Sequence, residues 1–321
     1  MALKKNNIII GFDTSCYTTS IAAISLDKEV ILNKKILLKV KKDSKGLRQS
    51  EAVFQHVNNL GELGNSINET LKKYNIIGVC ASSKPRPLDN SYMPVFTVGC
   101  NFAKLISSIN NCSYFETSHQ ENHIEASLFR NELKNKKRFL AVHMSGGTTE
   151  ILLVNKKLEG YDIEIVGGSL DVSFGQLVDR IGVNLGYDFP CGKYIDEDAI
   201  KCDIKIKEGL KTSVKEGYMN LSGIENQINK VLNDYSKEYI SKLLLDTLVR
   251  CMYKSLSYIC KKYEIDEVLF AGGVSASKYI SKELKNKLKK DRVITYFTEN
   301  KYATDNALGC AIIGLNQMKN Y

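Results

Sequence analysis

No stretch of the 321-residue sequence approaches the roughly 20 consecutive apolar residues that a membrane-spanning helix needs. The start, Met1-Ala2-Leu3-Lys4-Lys5, leads into only three consecutive isoleucines, too short for the core of a secretory signal. The sequence therefore predicts a cytoplasmic chain without a membrane partner. Its nine cysteines include no C-x-x-C pair, which argues against a disulfide framework and against a cysteine zinc site and leaves reduced thiols. Histidine is scarce, with four in the whole chain. Apolar and charged fractions of 43% and 25% are ordinary for a globular protein and give no sign of disorder, and the length suits two domains or one large one.

Two of the four histidines lie in Ser118-His119-Gln120-Glu121-Asn122-His123-Ile124-Glu125-Ala126. Four residues apart on a helix, both imidazoles leave one face one turn apart, which is metal-ligand spacing. Two nitrogens alone make a weak site, so a metal needs a third ligand from elsewhere; a histidine pair on a solvated helix face is the alternative. The formal charge of +9 is compatible with a polyanion such as tRNA. It equally fits a coding bias toward lysine, asparagine and isoleucine.

Periodicity predicts three antiparallel strands at 7–12, 20–24 and 30–40. An amphipathic helix follows over 50–72, with Ser50 as its N-cap and His56 on board. Strand, loop and helix then recur: strands at 76–81 and 113–116, helices at 95–109 and 119–123, and a strand pair at 138–144 and 150–154. Beyond them come a strand at 163–167, helices at 171–185, 194–207 and 238–263, strands at 267–270 and 293–297, and a last helix opened by Thr304-Asp305-Asn306-Ala307, capped near Thr304 or Asp305.

Three turns share one character. Gly11-Phe12-Asp13-Thr14-Ser15 carries a carboxylate among small hydroxyl residues, suited to a phosphate or its metal. Ser145-Gly146-Gly147-Thr148-Thr149 either is a plain hairpin turn or lets backbone N–H groups reach a ligand. Ala271-Gly272-Gly273-Val274-Ser275-Ala276-Ser277 joins a strand to a helix start that favours negative charge.

The order of these pieces resembles the α/β superfold of actin, Hsp70 and the sugar kinases, in which two related mixed-sheet domains flank a nucleotide. More closely, the chain resembles the TsaD family (Gcp, formerly O-sialoglycoprotein endopeptidase), transferases that make threonylcarbamoyladenosine in tRNA. The motifs that carry it run nearly end to end: Asp13-Thr14-Ser15-Cys16, His56-Val57-Asn58-Asn59-Leu60, His119-x-Glu121-x-His123, Ser145-Gly146-Gly147-Thr148-Thr149, Gly186-Tyr187-Asp188-Phe189-Pro190-x-Gly192, Ala271-Gly272-Gly273-Val274-Ser275-Ala276 and Thr304-Asp305-Asn306.

The resemblance implies domains at 1–136 and 137–321, with the last helix, about 304–319, bridging back to the first. It implies one divalent metal, iron by family habit with zinc the alternative, on His119, His123 and Asp305. His143, Met144, Ser145, Gly146 and Gly147 would line the pocket of an adenylate-type nucleotide, with Asp179 at the ribose, Gly192 beside it and Ser277 at the end of the pocket. Implied partners are tRNA, a related actin-like subunit and a small ATPase. The implied reaction passes a threonylcarbamoyl group from threonylcarbamoyl-adenylate to the exocyclic amine of the adenosine next to the anticodon; no side chain is an obvious general base.

The chain departs from the family pattern at several places. Tyr17 and Thr18 replace two acidic residues, Ser277 an asparagine, Cys191 and Ala307 glycines, and Gln120 and Asn122 a methionine and a glycine. A catalytically weakened paralogue acting as a nucleotide-binding scaffold is therefore the competing expectation. A sugar or acetate kinase shares the fold without explaining the histidine pair. A metalloprotease would need H-E-x-x-H, whereas Glu121 falls midway between the histidines.

Overall fold

The computed structural model describes residues 6–15, 17–40, 47–157, 160–206 and 209–320; Cys16 of the first motif and Lys207, the expected end of one helix, lie outside the described residues. Two compact units emerge. One comprises Met1–Arg130, Lys157–Asp162 and Asp305–Tyr321, the other Asn131–Lys156 and Ile163–Thr304. The division falls at 130/131, ahead of the expected 136/137. A 3-10 turn, Glu132–Asn135, goes with the second unit, where Lys136 pairs with Glu267 at 2.9 Å and the Lys156 N–H donates to the Lys137 carbonyl.

The first unit begins β1 (Asn7–Ser15), β2 (Thr18–Ser25), β3 (Val30–Leu37), α1 (Gln49–Leu71), β4 (Asn75–Lys84), α2 (Val95–Asn110), β5 (Ser113–Ser118) and α3 (His119–Leu128). Its sheet has the order β3-β2-β1-β4-β5, antiparallel among the first three strands and parallel from β1 to β5. The apolar run of β1 makes it the central strand, and Ile8, Ile10 and Phe12 pack with Val79, Leu60 and Ala103 into one core. Helix α1 starts one residue before expectation. Its N-cap is Arg48, which makes no side-chain cap bond, so Ser50 sits inside the first turn.

The second unit continues with β6 (Arg138–Met144), β7 (Thr149–Lys156), β8 (Tyr161–Ser169), α4 (Phe174–Asn184), α5 (Gly192–Lys201), β9 (Ser213–Lys215), β10 (Tyr218–Asn220), α6 (Ser222–Val231) and α7 (Lys237–Tyr263). Then come β11 (Glu267–Ala271), a 3-10 turn at Gly273–Ala276, α8 (Lys278–Lys290), β12 (Ile294–Phe297) and the short α9 (Asn300–Ala303). The chain ends in α10 (Leu308–Asn320), which goes with the first unit. The second sheet runs β12-β11-β6-β7-β8-β10-β9, with β6 parallel to β11 and antiparallel to β7. The stripe Leu244, Leu248, Met252, Leu256 and Ile259 of α7 is buried in its core, as its helical spacing requires. Among the described residues no helix is long and apolar enough to cross a membrane.

Two boundaries differ from the sequence reading for one reason, side-chain capping. Helix α4 begins at Phe174 because Ser173 accepts from the Gln176 N–H and Gln176 reaches back, a reciprocal capping box; Asp171 instead accepts from the Leu221 and Ser222 N–H groups. Helix α10 begins at Leu308, whose N–H donates to Asn306 Oδ1 at 3.0 Å. Asn306 therefore does the capping expected of Thr304 or Asp305.

Candidate metal centre

Helix α3 is buried from Glu121 to Leu128, and His119 at its start keeps only 21% of its side chain exposed, so neither histidine lies on a solvated face. A capping box fixes its start: Ser118 Oγ accepts from the Glu121 N–H, and Glu121 Oε2 accepts from the Ser118 N–H at 2.9 Å. Glu121 is thus a structural acceptor, held also by the Tyr161 N–H at 3.1 Å on Oε1, and turns away from the imidazoles. The phenol of Tyr161 donates to Glu125 one turn on.

Asn122 ties α3 to the start of α10. Its amide donates to the Asn306 carbonyl at 2.7 Å and its carbonyl oxygen accepts from the Cys310 N–H at 2.9 Å. The helices approach so closely at Gly309 that a Cβ there would collide with the Asn122 backbone carbonyl. That contact fixes the segment from which Asp305 projects.

The result is one cluster. His119 Nε2 lies 3.0 Å from His123 Nε2, Asp305 Oδ1 is 3.1 Å from His123 Nε2 and 4.0 Å from His119 Nε2, and one ligand atom from each residue lies within 4.8 Å of the others. Donors at about 2.0–2.2 Å from a first-row ion stand about 3.0–3.5 Å from one another, so the three edges suit a single metal after a small closure of the longest. Two imidazoles and a carboxylate also form a donor set that zinc and iron both accept. The other Asp305 oxygen accepts from Thr18 Oγ1 at 3.0 Å and Ser15 Oγ at 3.4 Å, while Lys35 Nζ donates to the Asp305 backbone carbonyl at 3.2 Å. Thr18, one of the departures, thereby orients Oδ1 toward the histidines.

On the far side of the His119 ring, Nδ1 lies 3.1 and 3.0 Å from the two oxygens of Asp13, which is fully buried and accepts from the Ser82 hydroxyl. Burial disfavours the His119 imidazolium, but the Asp13 charge and hydrogen bond, helped by Asp305, overcome this and push it up to about 9. Burial likewise opposes ionisation of Asp305, yet the hydrogen bond and charge of His123, with His119 and Thr18, hold its carboxyl well below the usual range. A metal requires neutral His119. Below about pH 9 binding must expel that proton, so affinity should rise roughly tenfold per pH unit up to about pH 9 and then flatten. Stability of the metal-free chain should run the other way: the His119 contribution is complete below pH 6.5 and lost as pH climbs through about 9. Zinc titrations and thermal melts from pH 6 to 9.5 check both; a flat affinity profile would remove the proton–metal competition.

His56 is elsewhere in the first unit, fully buried, with Nδ1 2.8 Å from Thr19 Oγ1; burial pulls it down to about 4. It is a neutral histidine of the core.

In the second unit the two glycine-rich turns meet. Strand β11 pairs with β6, and Gly272, at φ 92°, packs so tightly on the Met144 carbonyl and His143 ring that no side chain fits. The N-terminus of α4 joins them: the Gly175 N–H donates to the Ser145 carbonyl at 3.2 Å and Ser173 Oγ to the Gly146 carbonyl at 2.9 Å. Within the turn, Ser145 Oγ accepts from the Gly147 N–H at 3.2 Å and the Thr148 N–H at 3.0 Å. The Gly147 N–H is therefore engaged within the turn, whereas no such bond from the Gly146 N–H occurs among the described residues. Asp179 accepts from the Cys191 N–H at 2.8 Å beside Gly192, and burial raises its carboxyl against that hydrogen bond. Cys191 turns its thiol into the core against Gly182. Ser277 differs most from expectation. It is the N-cap of α8, accepting from the Ile280 N–H at 3.1 Å and donating to Asp196, so its hydroxyl is taken up at the helix start.

The family model for TsaD, tRNA N6-adenosine threonylcarbamoyltransferase, matches residues 91–312. Curated relatives carry that same description: one from Sulfurihydrogenibium sp. (strain YO3AOP1) is 29% identical across 97% of this chain and 91% of its own, and one from Thermotoga neapolitana is 27% identical across 97% and 94%. Among solved structures, full-length HypF in its phosphate- and nucleotide-bound form superposes with a TM-score of 0.61 at 14% identity, over 98% of this chain and 47% of that one. The activator of 2-hydroxyisocaproyl-CoA dehydratase from Clostridium difficile gives 0.56 at 11%, over 98% and 96%. A hexokinase of the ROK type from Thermus thermophilus also shares the fold, at 0.50 and 12% identity over 98% and 100%, which makes the architecture that of the actin, Hsp70 and sugar-kinase class. Since the family model spans more than half of its length, the chain belongs to the TsaD family of tRNA N6-adenosine threonylcarbamoyltransferases.

Proposed function

We propose that the chain transfers the threonylcarbamoyl group of threonylcarbamoyl-adenylate to the exocyclic amine of the adenosine next to the anticodon in tRNAs that read A-starting codons. The observation that carries this reading is the convergence of His119, His123 and Asp305, three donors from two separated stretches of sequence, in a member of this family. In the reaction the amine nitrogen bonds to the carbamoyl carbon, the bond from that carbon to the adenylate phosphate oxygen breaks, AMP leaves and the amine proton passes to water. A divalent metal, iron in the first instance and zinc otherwise, supplies Lewis acidity toward a substrate oxygen.

His119, His123 and Asp305 hold that metal in this reading. Gly146 offers its N–H to a phosphate oxygen, and Asp179 offers a carboxylate to a ribose hydroxyl; a Cβ built at Gly146 or Gly192 meets nothing within 4 Å, so a ligand has room to approach. For the polyanionic partner, residues 278–292 hold seven basic and two acidic side chains, net +5 of the chain's +9. Lys278, Lys282, Lys285, Lys289, Lys290 and Arg292 are exposed there, a surface suited to phosphates. The exposed Phe54 and Val57 on α1 and Leu105 and Ile109 on α2 suit the related actin-like subunit, with a small ATPase completing the complex.

One observation favours the scaffold alternative: Ser277, in place of the pocket asparagine, is engaged with Asp196. Complementation of a strain depleted of its own transferase separates the two. The transferase reading expects threonylcarbamoyladenosine restored in tRNA by the wild-type chain and absent with His119→Ala, read by nucleoside mass spectrometry. Growth restored without the modified nucleoside would favour the scaffold.

A further inference from the structure

We infer that Asp13 is a positioning residue for the metal centre: through its bond to His119 Nδ1 it holds that imidazole with Nε2 turned to the metal. The inference rests on the metal reading above. By its place in a hydroxyl-rich turn after the first strand, Asp13 looked suited to touch a phosphate or metal directly. The structure gives it other work.

Both carboxylate oxygens lie within 3.1 Å of Nδ1, on the ring edge opposite Nε2, so a metal held by Nε2, His123 and Asp305 does not touch Asp13. The side chain is fully buried, and among the described residues no lysine or arginine pairs with it. A buried carboxylate without a cation is strongly unfavourable, so its negative charge is best met by an imidazole that is itself positive or bound to a positive ion. Strand geometry fixes where it sits. Asp13 lies toward the C-terminal end of β1, opposite Ser20 of β2, whose hydroxyl donates to the Asp13 backbone carbonyl at 3.1 Å, and Ser82 of β4 donates to its carboxylate. The β2 neighbour thus holds the Asp13 backbone, and the β4 neighbour holds its carboxylate. With Nδ1 carrying the proton toward Asp13, the Nε2 lone pair is left for the metal, and the anionic acceptor makes that nitrogen a stronger donor.

An ion pair that served folding alone would affect stability without changing how the metal is held. The test titrates the metal-free full-length chain with Zn2+ against a chromophoric chelator, and with Co2+ for its visible absorption, in wild type, Asp13→Asn and Ser82→Ala. Thermal melts of the metal-free proteins run alongside. Asparagine keeps the size but removes the charge and can present its amide N–H to Nδ1, which favours the wrong tautomer. We expect Asp13→Asn to weaken Zn2+ binding about 10- to 100-fold and to alter the Co2+ spectrum, as for other carboxylate–histidine–metal arrangements. Ser82→Ala, which leaves the carboxylate but removes the hydroxyl that donates to it, should weaken binding at least threefold. Asp13→Asn affinity within threefold of wild type with an unchanged Co2+ spectrum overturns the inference. If Asp13→Asn does not fold, Ser82→Ala decides: unchanged affinity overturns it. A wild-type chain that takes up neither ion refutes the metal reading itself, a distinct outcome.

Discussion

Gly309→Ala is expected to lower the thermal midpoint by several degrees and to weaken metal binding more than tenfold, although the residue touches no metal ligand. It is the second residue of α10, where its missing side chain lets the helix lie against the Asn122 carbonyl of α3. The atoms a methyl would strike are backbone and the Asn122 amide, which is itself held at both ends, so no flexible side-chain tip can yield. Alanine gains about 1 kcal/mol of helix propensity over glycine, whereas overpacking a tight contact costs about 1–3 kcal/mol. The clash should win. Relief requires α10 to move off α3, and Asp305, three residues before the helix, moves with it from its 3.1 Å approach to His123. Calorimetry and a zinc titration on the same preparation read both effects; an unchanged midpoint with unchanged zinc affinity would mean that the close approach does not set the centre.

Asp305→Ala is expected to leave less than a tenth of the wild-type metal, about as severe a loss as either histidine change. Its carboxylate is the only anionic member of the three-donor cluster, and without it two imidazoles remain, one of them already drawn to Asp13. Thr18 and Ser15 do not replace it, since their hydroxyls are weak neutral donors, and Lys35 beside the vacated space would repel a cation. Elemental analysis after gel filtration measures this directly. Full metal occupancy in Asp305→Ala would contradict the three-donor assignment.

Much of this is legible in the sequence, for identifiable reasons. The central strand β1 announces itself as an unbroken apolar run because it is buried on both faces, and α7 because its stripe repeats every three or four residues. The histidine pair shows itself by helical spacing, but its partner Asp305 lies 182 residues beyond His123, and only likeness to a family connected them. Contacts that depend on which competing acceptor wins were not legible. Asp305 and Asn306 are both plausible caps for α10; Asn306 takes the role, which frees the carboxylate to face the histidines. Ser277 could serve a ligand or its own helix, and Asp196, 81 residues earlier, decides for the helix. The Ser118-x-x-Glu121 capping box was a readable signal for the role of Glu121. The bond between Asp13 and His119 left no such trace, since it joins a strand and a helix 106 residues apart.

The most direct measurement of the central claim supplies the purified chain, incubated with Fe2+ and combined with the proposed actin-like and ATPase subunits, with threonylcarbamoyl-adenylate and unmodified tRNA. Released AMP and threonylcarbamoyladenosine are counted together. The account predicts one modified adenosine per AMP released through transfer with the wild-type chain, and neither product above background with His119→Ala. Adenylate consumed without modified tRNA, or full transfer by His119→Ala, would contradict it.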